Sequence, residues 1–183
     1  VQLFEVDHPD TQAYKRARAA KLGAPHVQPR YVAVDLTRGG LAQALRAAGH
    51  DAHSPTVWIW EGVIMYLDDA ALRGTLEVIR SLSAPNSTLI AHYYEPPLRE
   101  GFFRRLLRRT VLSWFGEPWI GVRRHEVMQG ELIDAGFHVW GDADTDEQAS
   151  AIGAPAPEPT HAGVSRVVWA SACAALAADG CVG

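Results

Sequence analysis

Cysteine is nearly absent from these 183 residues: there are two, Cys173 and Cys181, both near the C-terminus and without metal-ligand companions. That excludes a disulfide framework and a cysteine-based zinc site, and a reducing cytoplasm is the simplest compartment expectation. Long apolar runs are missing as well. None approaches the roughly 18 residues that a membrane span needs, and no basic segment followed by an apolar core opens the chain, so the expectation is a soluble, unsecreted protein. Basic charge is not in excess either. The formal net charge is -4, which leaves no global electrostatic footprint for a nucleic-acid partner. A glycine-rich turn before the first apolar strand is also missing.

What is present is an ordinary globular composition, 48% hydrophobic and 21% charged, arranged as short apolar runs alternating with segments of helical period. That alternation predicts repeated βα units, a mostly parallel sheet and a single domain over 1–183. The first strand runs to Val6-Asp7, before a helix from about Asp10 to Leu22. Tyr31 to Asp35 is the second strand, followed by a helix near Leu41 to Ala48 that Gly49 closes. Thr56-Val57-Trp58-Ile59-Trp60 is the third and most apolar strand. Asp68 and Asp69 then offer caps to a helix with Leu72, Leu76, Ile79 and Leu82 at helical spacing. A fourth strand from Ser87 to Tyr93 stops at Glu95-Pro96-Pro97. An insertion-like stretch follows from Leu98 to Gly121, with an amphipathic helix in which Arg104, Arg105, Arg108 and Arg109 mark a surface face. A helix from Arg123 to Ala135, a strand from Phe137 to Trp140, a polar loop from Gly141 to Gly163 and a strand from Val164 to Ala172 complete the pattern. The last two strands suggest an antiparallel hairpin at the sheet edge.

Three successive strands end on a carboxylate: Asp7, Asp35 and Glu61. In a parallel sheet the carboxyl ends share one edge, where ligands of open α/β folds bind, so the three acids are expected to converge on one polar crevice. Each alone also fits a helix cap or a surface acid. Glu61 stands out because it follows five largely apolar residues, where an ionised group calls for a cationic or donor partner. Tyr66 lies five positions on, placed either to reach that crevice or to pack half-buried. His92, Tyr93 and Tyr94 end the fourth strand, where a general base for a hydroxyl acceptor belongs, though each also suits an ordinary strand end. His125 and His161 lack ligand-spaced companions, and no metal is expected.

Phe4-Glu5-Val6-Asp7-His8-Pro9-Asp10-Thr11-Gln12, Tyr31 to Leu36, Pro55 to Leu67 and Gly116-Glu117-Pro118-Trp119 together resemble the bacterial S-adenosylmethionine-dependent methyltransferases related to leucine carboxyl methyltransferase and the polyketide O-methyltransferases. The resemblance implies a Rossmann-like class I sheet with S-adenosyl-L-methionine as cofactor. By the same resemblance Asp7 holds the ribose hydroxyls, Asp35 and Leu36 lie against adenine, Glu61 meets the methionine ammonium and Tyr66 faces the acceptor. Residues 98–121 match the region covering the acceptor pocket; Phe102, Phe103, Trp114, Phe115 and Trp119 there suit an apolar substrate site, although packing of the helix onto the sheet is the commoner use of such residues. The implied activity is methyl transfer to a carboxylate or hydroxyl of a small molecule of secondary-metabolite type.

Family members also carry a first strand with a Gly-x-Gly turn, which in their sheet lies between the strands of Asp7 and Glu61. The expectation is that this strand precedes Val1, comes from a partner chain or second copy completing the sheet, or is lost in a reduced relative. The alternative function is accordingly a non-catalytic fragment serving as a binding or oligomerisation module. A nicotinamide-dependent dehydrogenase shares the ribose acid but leaves Glu61 and the Gly116–Trp119 turn unexplained.

Overall fold

The computed structural model describes residues 1–21, 26–96, 119–155 and 164–172. The expected Leu98–Gly121 cover segment falls outside these residues except for its last three, as do the four arginines, His161 and both cysteines. In chain order the elements are β1 (Phe4–Asp7), α1 (Pro9–Ala19), β2 (Arg30–Ala33), α2 (Leu41–Ala47), β3 (Val57–Trp60), a 3-10 turn (Ile64–Tyr66), α3 (Asp69–Ser81), β4 (Thr88–Glu95), α4 (His125–Asp134), β5 (His138–Asp144), α5 (Thr145–Ala151) and β6 (Val164–Ser171).

The strands form two sheets. β1 and β2 make a parallel pair, while β3, β4, β6 and β5 follow one another in a second sheet, parallel between β3 and β4 and antiparallel on both sides of β6. The expected hairpin is therefore present, and β6 enters between β4 and β5. Among the described residues, the β1 edge away from β2 and the β3 edge away from β4 have no strand partner. Val57 and Ile59 on β3 are correspondingly 65% and 72% exposed. Parallel strands are normally covered and paired on both sides, so this edge is unusual. The ring of His50 lies between the two sheets, 5.6 Å from Phe4 of β1 and 5.1 Å from Trp58 of β3, measured between ring centroids.

Two apolar clusters hold the layers together. The larger packs Leu72, Leu76 and Ile79 of α3 with Leu89, Ala91 and Tyr93 of β4 and Met128 and Leu132 of α4. The smaller gathers Val32, Val34, Leu41, Leu45 and Leu82, and Leu36 and Trp58 pack against both. The helical spacing of Leu72, Leu76, Ile79 and Leu82 therefore marks the buried face. The Asp68 side chain caps α3 through the Ala71 amide at 2.8 Å, as its position in the sequence predicts. Gly49 and Gly136, with φ of 89° and 85°, follow the ends of α2 and α4, where the left-handed conformation favours glycine.

Two expectations are corrected. The polar stretch from Gly141 to Gly163 is not all loop: β5 continues to Asp144, and α5 follows. Asp144 and Glu147 form a reciprocal capping box that starts this helix without an apolar stripe. The second correction is that Asp35 does not end β2. The strand stops at Ala33, and Asp35 opens the following loop.

Candidate functional site

The carboxyl ends of the parallel strands place the acids in two groups. Asp7 and Asp35 belong to the smaller sheet. Val34 donates its amide to the Asp7 carbonyl at 3.0 Å, so the two acids leave adjacent strand ends. Asp7 Oδ1 accepts the His8 amide at 2.8 Å, and Oδ2 lies 3.4 Å from Lys15 Nζ of α1, with 21% of the side chain exposed. His8 itself caps α1 by accepting the Asp10 amide at 3.4 Å.

Asp35 is more committed to its own loop than the sequence suggests. Its Oδ1 accepts from Thr37 Oγ1 at 2.6 Å and the Thr37 amide at 3.0 Å, and Oδ2 lies 3.1 Å from Arg38 Nε. The Thr37 hydrogen bonds, with the Arg38 guanidinium, hold its carboxyl below the usual range. Leu36 is half-buried and borders a cavity of about 290 Å³ between this loop and α3, with Thr37, Gly40, Asp68, Ala71 and Gly74 among its other walls. An apolar residue beside a space of that size suits a flat ring.

Glu61 follows β3 on the larger sheet. It is exposed and forms no hydrogen bond or ion pair with another described residue. Gly62, at φ 72°, turns the chain directly after it. Trp60 pairs with Ala91, so Glu61, just past β3, lies beside His92; His92 does not end its strand as the sequence suggests, because β4 continues to Glu95 and pairs His92 with Val167. Their proximity has an electrostatic consequence. Burial depresses the His92 imidazolium below its ordinary pKa of 6.5, and the Glu61 charge pulls the other way. His92 Nε2 lies 2.9 Å from Ser165 Oγ, while its buried Nδ1 has no hydrogen-bond partner. An edge-on contact of 4.9 Å joins its ring to Tyr94, which in turn packs on Trp119 at 4.6 Å. Tyr66 is half-buried in the 3-10 turn beyond Glu61.

Tyr93 does not join this edge. Its hydroxyl donates to Asp142 Oδ2 at 2.6 Å and accepts from Arg166 Nε at 3.2 Å, and Arg166 Nε also binds Asp142 Oδ1 at 2.9 Å. Burial drives the phenol far above its normal pKa, so it holds its proton and serves the interior. The network extends to Glu95, 3.6 Å from Arg166 Nη1, and on to His125 Nδ1 at 3.1 Å. Glu95, His125 and Glu126 are close enough to share a cation. Glu95 is already engaged there, accepting the amide of His125 at the start of α4, and the group reads as a helix cap in a charge network. None of these partners was legible beforehand, because β4 and β6 meet across 73 residues of sequence.

This is the architecture of class I S-adenosylmethionine-dependent methyltransferases, and solved structures show it directly. A DUF574 family protein from Streptomyces avermitilis matches 93% of the chain and 64% of its own length, with a TM-score of 0.64 and 14% identity. Magnesium protoporphyrin IX methyltransferase from Synechocystis, solved with S-adenosylhomocysteine, matches with a TM-score of 0.55 and 14% identity over 93% of the chain and 64% of its own length.

The sequence narrows the class. Residues 1–80 match the leucine carboxyl methyltransferase family. A Mycobacteroides abscessus protein, named for S-adenosyl-L-methionine-dependent methyl transfer, is 34% identical across 73% of the chain and 50% of its own length. A Mycolicibacterium gilvum protein of the same designation is 44% identical over 50% of the chain and 30% of its length. The chain is thus similar, over residues 1–80, to the leucine carboxyl methyltransferase family, and it spans half or less of the length of these two relatives.

Proposed function

We propose that this chain is part of an O-methyltransferase that uses S-adenosyl-L-methionine to methylate a carboxylate or hydroxyl of a small molecule of the polyketide or secondary-metabolite type. The observation that carries the reading is Glu61, an exposed carboxylate just past the end of an apolar strand, with no hydrogen bond or ion pair among the described residues and so accessible to a ligand ammonium. Residues of the smaller sheet and its following loop suit the rest of the cofactor. The Asp7 carboxylate suits ribose hydroxyls, Leu36 and its neighbouring cavity suit adenine, and Asp35 shapes the loop that carries Leu36.

The bound cofactor supplies an electrophilic methyl group on a sulfonium. The residues therefore have mainly to align an acceptor oxygen with that methyl and to keep water away. Tyr66 lies on the turn that follows Glu61, where its phenol would contact the acceptor. A carboxylate acceptor needs no base. For a hydroxyl, neutral His92 is the candidate to take the proton, because burial keeps its imidazole uncharged at neutral pH.

Titrating the full-length protein with S-adenosylmethionine by calorimetry tests the reading: binding is expected, and no heat at millimolar cofactor overturns it. In the same protein Tyr66→Phe should slow methyl transfer with cofactor affinity intact, whereas selective loss of that affinity would remove Tyr66 from the acceptor side. The unpaired edges of β1 and β3 favour a second reading, a non-catalytic module that binds a strand from another segment or chain. Such a module takes up a strand peptide and gives no heat with the cofactor.

A further inference from the structure

The segment from Trp119 to Arg124 has no regular structure, yet it is tied at both ends of the candidate acceptor edge. On one side the Gly121 amide donates to the Met65 carbonyl at 2.9 Å, inside the 3-10 turn that carries Tyr66. The approach is so close that a Cβ on Gly121 would collide with the carbonyl oxygens of Ile64 and Leu67. Glycine is required here by space, with no demand on φ. On the other side the Arg123 amide donates to the Tyr94 carbonyl at 3.0 Å, and Trp119 packs on the Tyr94 ring. The segment thus straps the turn after β3 to the end of β4.

Arg123 closes the strap with its side chain. Its Nε donates to the Gly121 carbonyl at 3.1 Å and its Nη2 to the Leu67 carbonyl at 3.4 Å, so one guanidinium clips the strap to the C-terminal end of the turn. The residue is only 7% exposed. Among the described residues the carboxylate within ion-pair distance is Asp69 at 3.4 Å, which is largely in solvent; the Glu131 charge acts from further away, and Nη1 has no hydrogen bond. Burial accordingly lowers the guanidinium pKa. For stability alone this is a poor arrangement, because an apolar side chain of similar length commonly serves a buried site as well as a partly compensated charge does. What the guanidinium adds is direction, since two carbonyls of different segments are fixed by one rigid fork.

We infer that Arg123 and Gly121 are positioning residues that hold the Tyr66-bearing turn in register with the Tyr94 end of β4, and so set where the acceptor is presented. The inference rests on the assignment of Tyr66 to the acceptor side. Ile64, Met65 and Leu67 anchor the turn to the interior, and the strap fixes it from above. Neither positioning residue need touch the acceptor.

The test uses the full-length protein labelled with 3-fluorotyrosine, with the Tyr66 fluorine resonance identified by its loss in Tyr66→Phe. In Arg123→Met that resonance is expected to shift or broaden while those of Tyr14, Tyr31 and Tyr93 stay in place. Under the same conditions the urea midpoint should hold, and S-adenosylmethionine affinity by calorimetry should change less than about threefold. Arg123→Lys should restore the resonance only in part, since an ammonium lacks the fork. An unchanged Tyr66 resonance in folded Arg123→Met overturns the inference. Where that variant does not fold, Gly121→Ala decides, because its Cβ must displace the turn; an unmoved Tyr66 resonance there overturns the inference equally. Absence of cofactor binding in the unsubstituted protein would instead sink the methyltransferase reading and leave the strap standing.

Discussion

Acidification should loosen the joint between the two sheets, and His50 is the group through which it acts. Its ring fills the space between Phe4 and Trp58, Nδ1 is buried without a hydrogen bond, and Nε2 meets Thr56 Oγ1 at 3.3 Å. Burial lowers its pKa below the ordinary 6.5, with the Asp51 charge opposing too weakly to cancel the shift. A depressed histidine makes the unfolded chain bind more protons than the folded one in the interval between the two pKa values. Stability is therefore full above pH 6.5, falls as pH drops through that interval, and levels off below the folded pKa. One such group gives a slope of at most about 1.4 kcal/mol per pH unit, and His92, depressed by the same cause, adds a second slope with the same ceiling. The depressed carboxylates titrate lower, below ordinary values of 3.8 for Asp35 and Asp51 and 4.5 for Glu131, so they do not blur this window. Urea unfolding of the protein and of His50→Phe, repeated from about pH 7.5 to 5.5, isolates the contribution. Phenylalanine keeps a ring between Phe4 and Trp58 but takes up no proton, so the variant should lose the His50 share of the slope. If its stability falls with acid as steeply as that of the unsubstituted protein, His50 is not the titrating joint.

Two other substitutions test the polar features that the fold hides. Tyr93→Phe deletes the donor to Asp142 and leaves a nearly buried carboxylate short of one bond, and an equilibrium unfolding measurement should show a loss of about 1–3 kcal/mol. No loss would mean that Arg166 and Gln129 together satisfy Asp142 without the tyrosine. Asp144→Ala removes the capping box of α5, and about 1–2 kcal/mol should disappear together with amide protection of residues 145–148. Unaltered protection there would show that tertiary packing, and not the cap, holds this helix.

The parts of the fold that could be read ahead are those where one residue type answers to one local demand. Leu72, Leu76, Ile79 and Leu82 repeat at helical spacing and are buried; Asp68 caps the helix they define; Gly49 and Gly136 follow helix ends. The apolar run to Trp60 is a strand, and Glu61 sits at its carboxyl end without a described partner. What escaped depends on pairs distant in sequence. Arg166 within an apolar strand gives no local hint of its partners Asp142 and Tyr93, and Arg123 looks like one more surface arginine until Leu67 and Gly121 are folded against it. Helix α5 was missed for a different reason. It buries only Ala149, so it lacks a helical apolar period, and the Asp144–Glu147 cap that starts it was the one usable signal. Asp35 shows how a correct pattern can stop short of the geometry: it lies by the same edge as Asp7, but two residues beyond the strand and bonded into its own loop.

The most direct measurement is the affinity of the full-length protein for S-adenosylmethionine before and after Glu61→Ala. If Glu61 is the partner of the cofactor ammonium and the bound cofactor desolvates that pair, its removal should weaken binding by about 2–5 kcal/mol, roughly 30-fold to several thousand-fold, with the unfolding midpoint unchanged because in the free protein this exposed carboxylate has no hydrogen bond or ion pair among the described residues to lose. Equal affinity in the two proteins would contradict the account and remove Glu61, and with it the larger sheet's carboxylate, from the cofactor site.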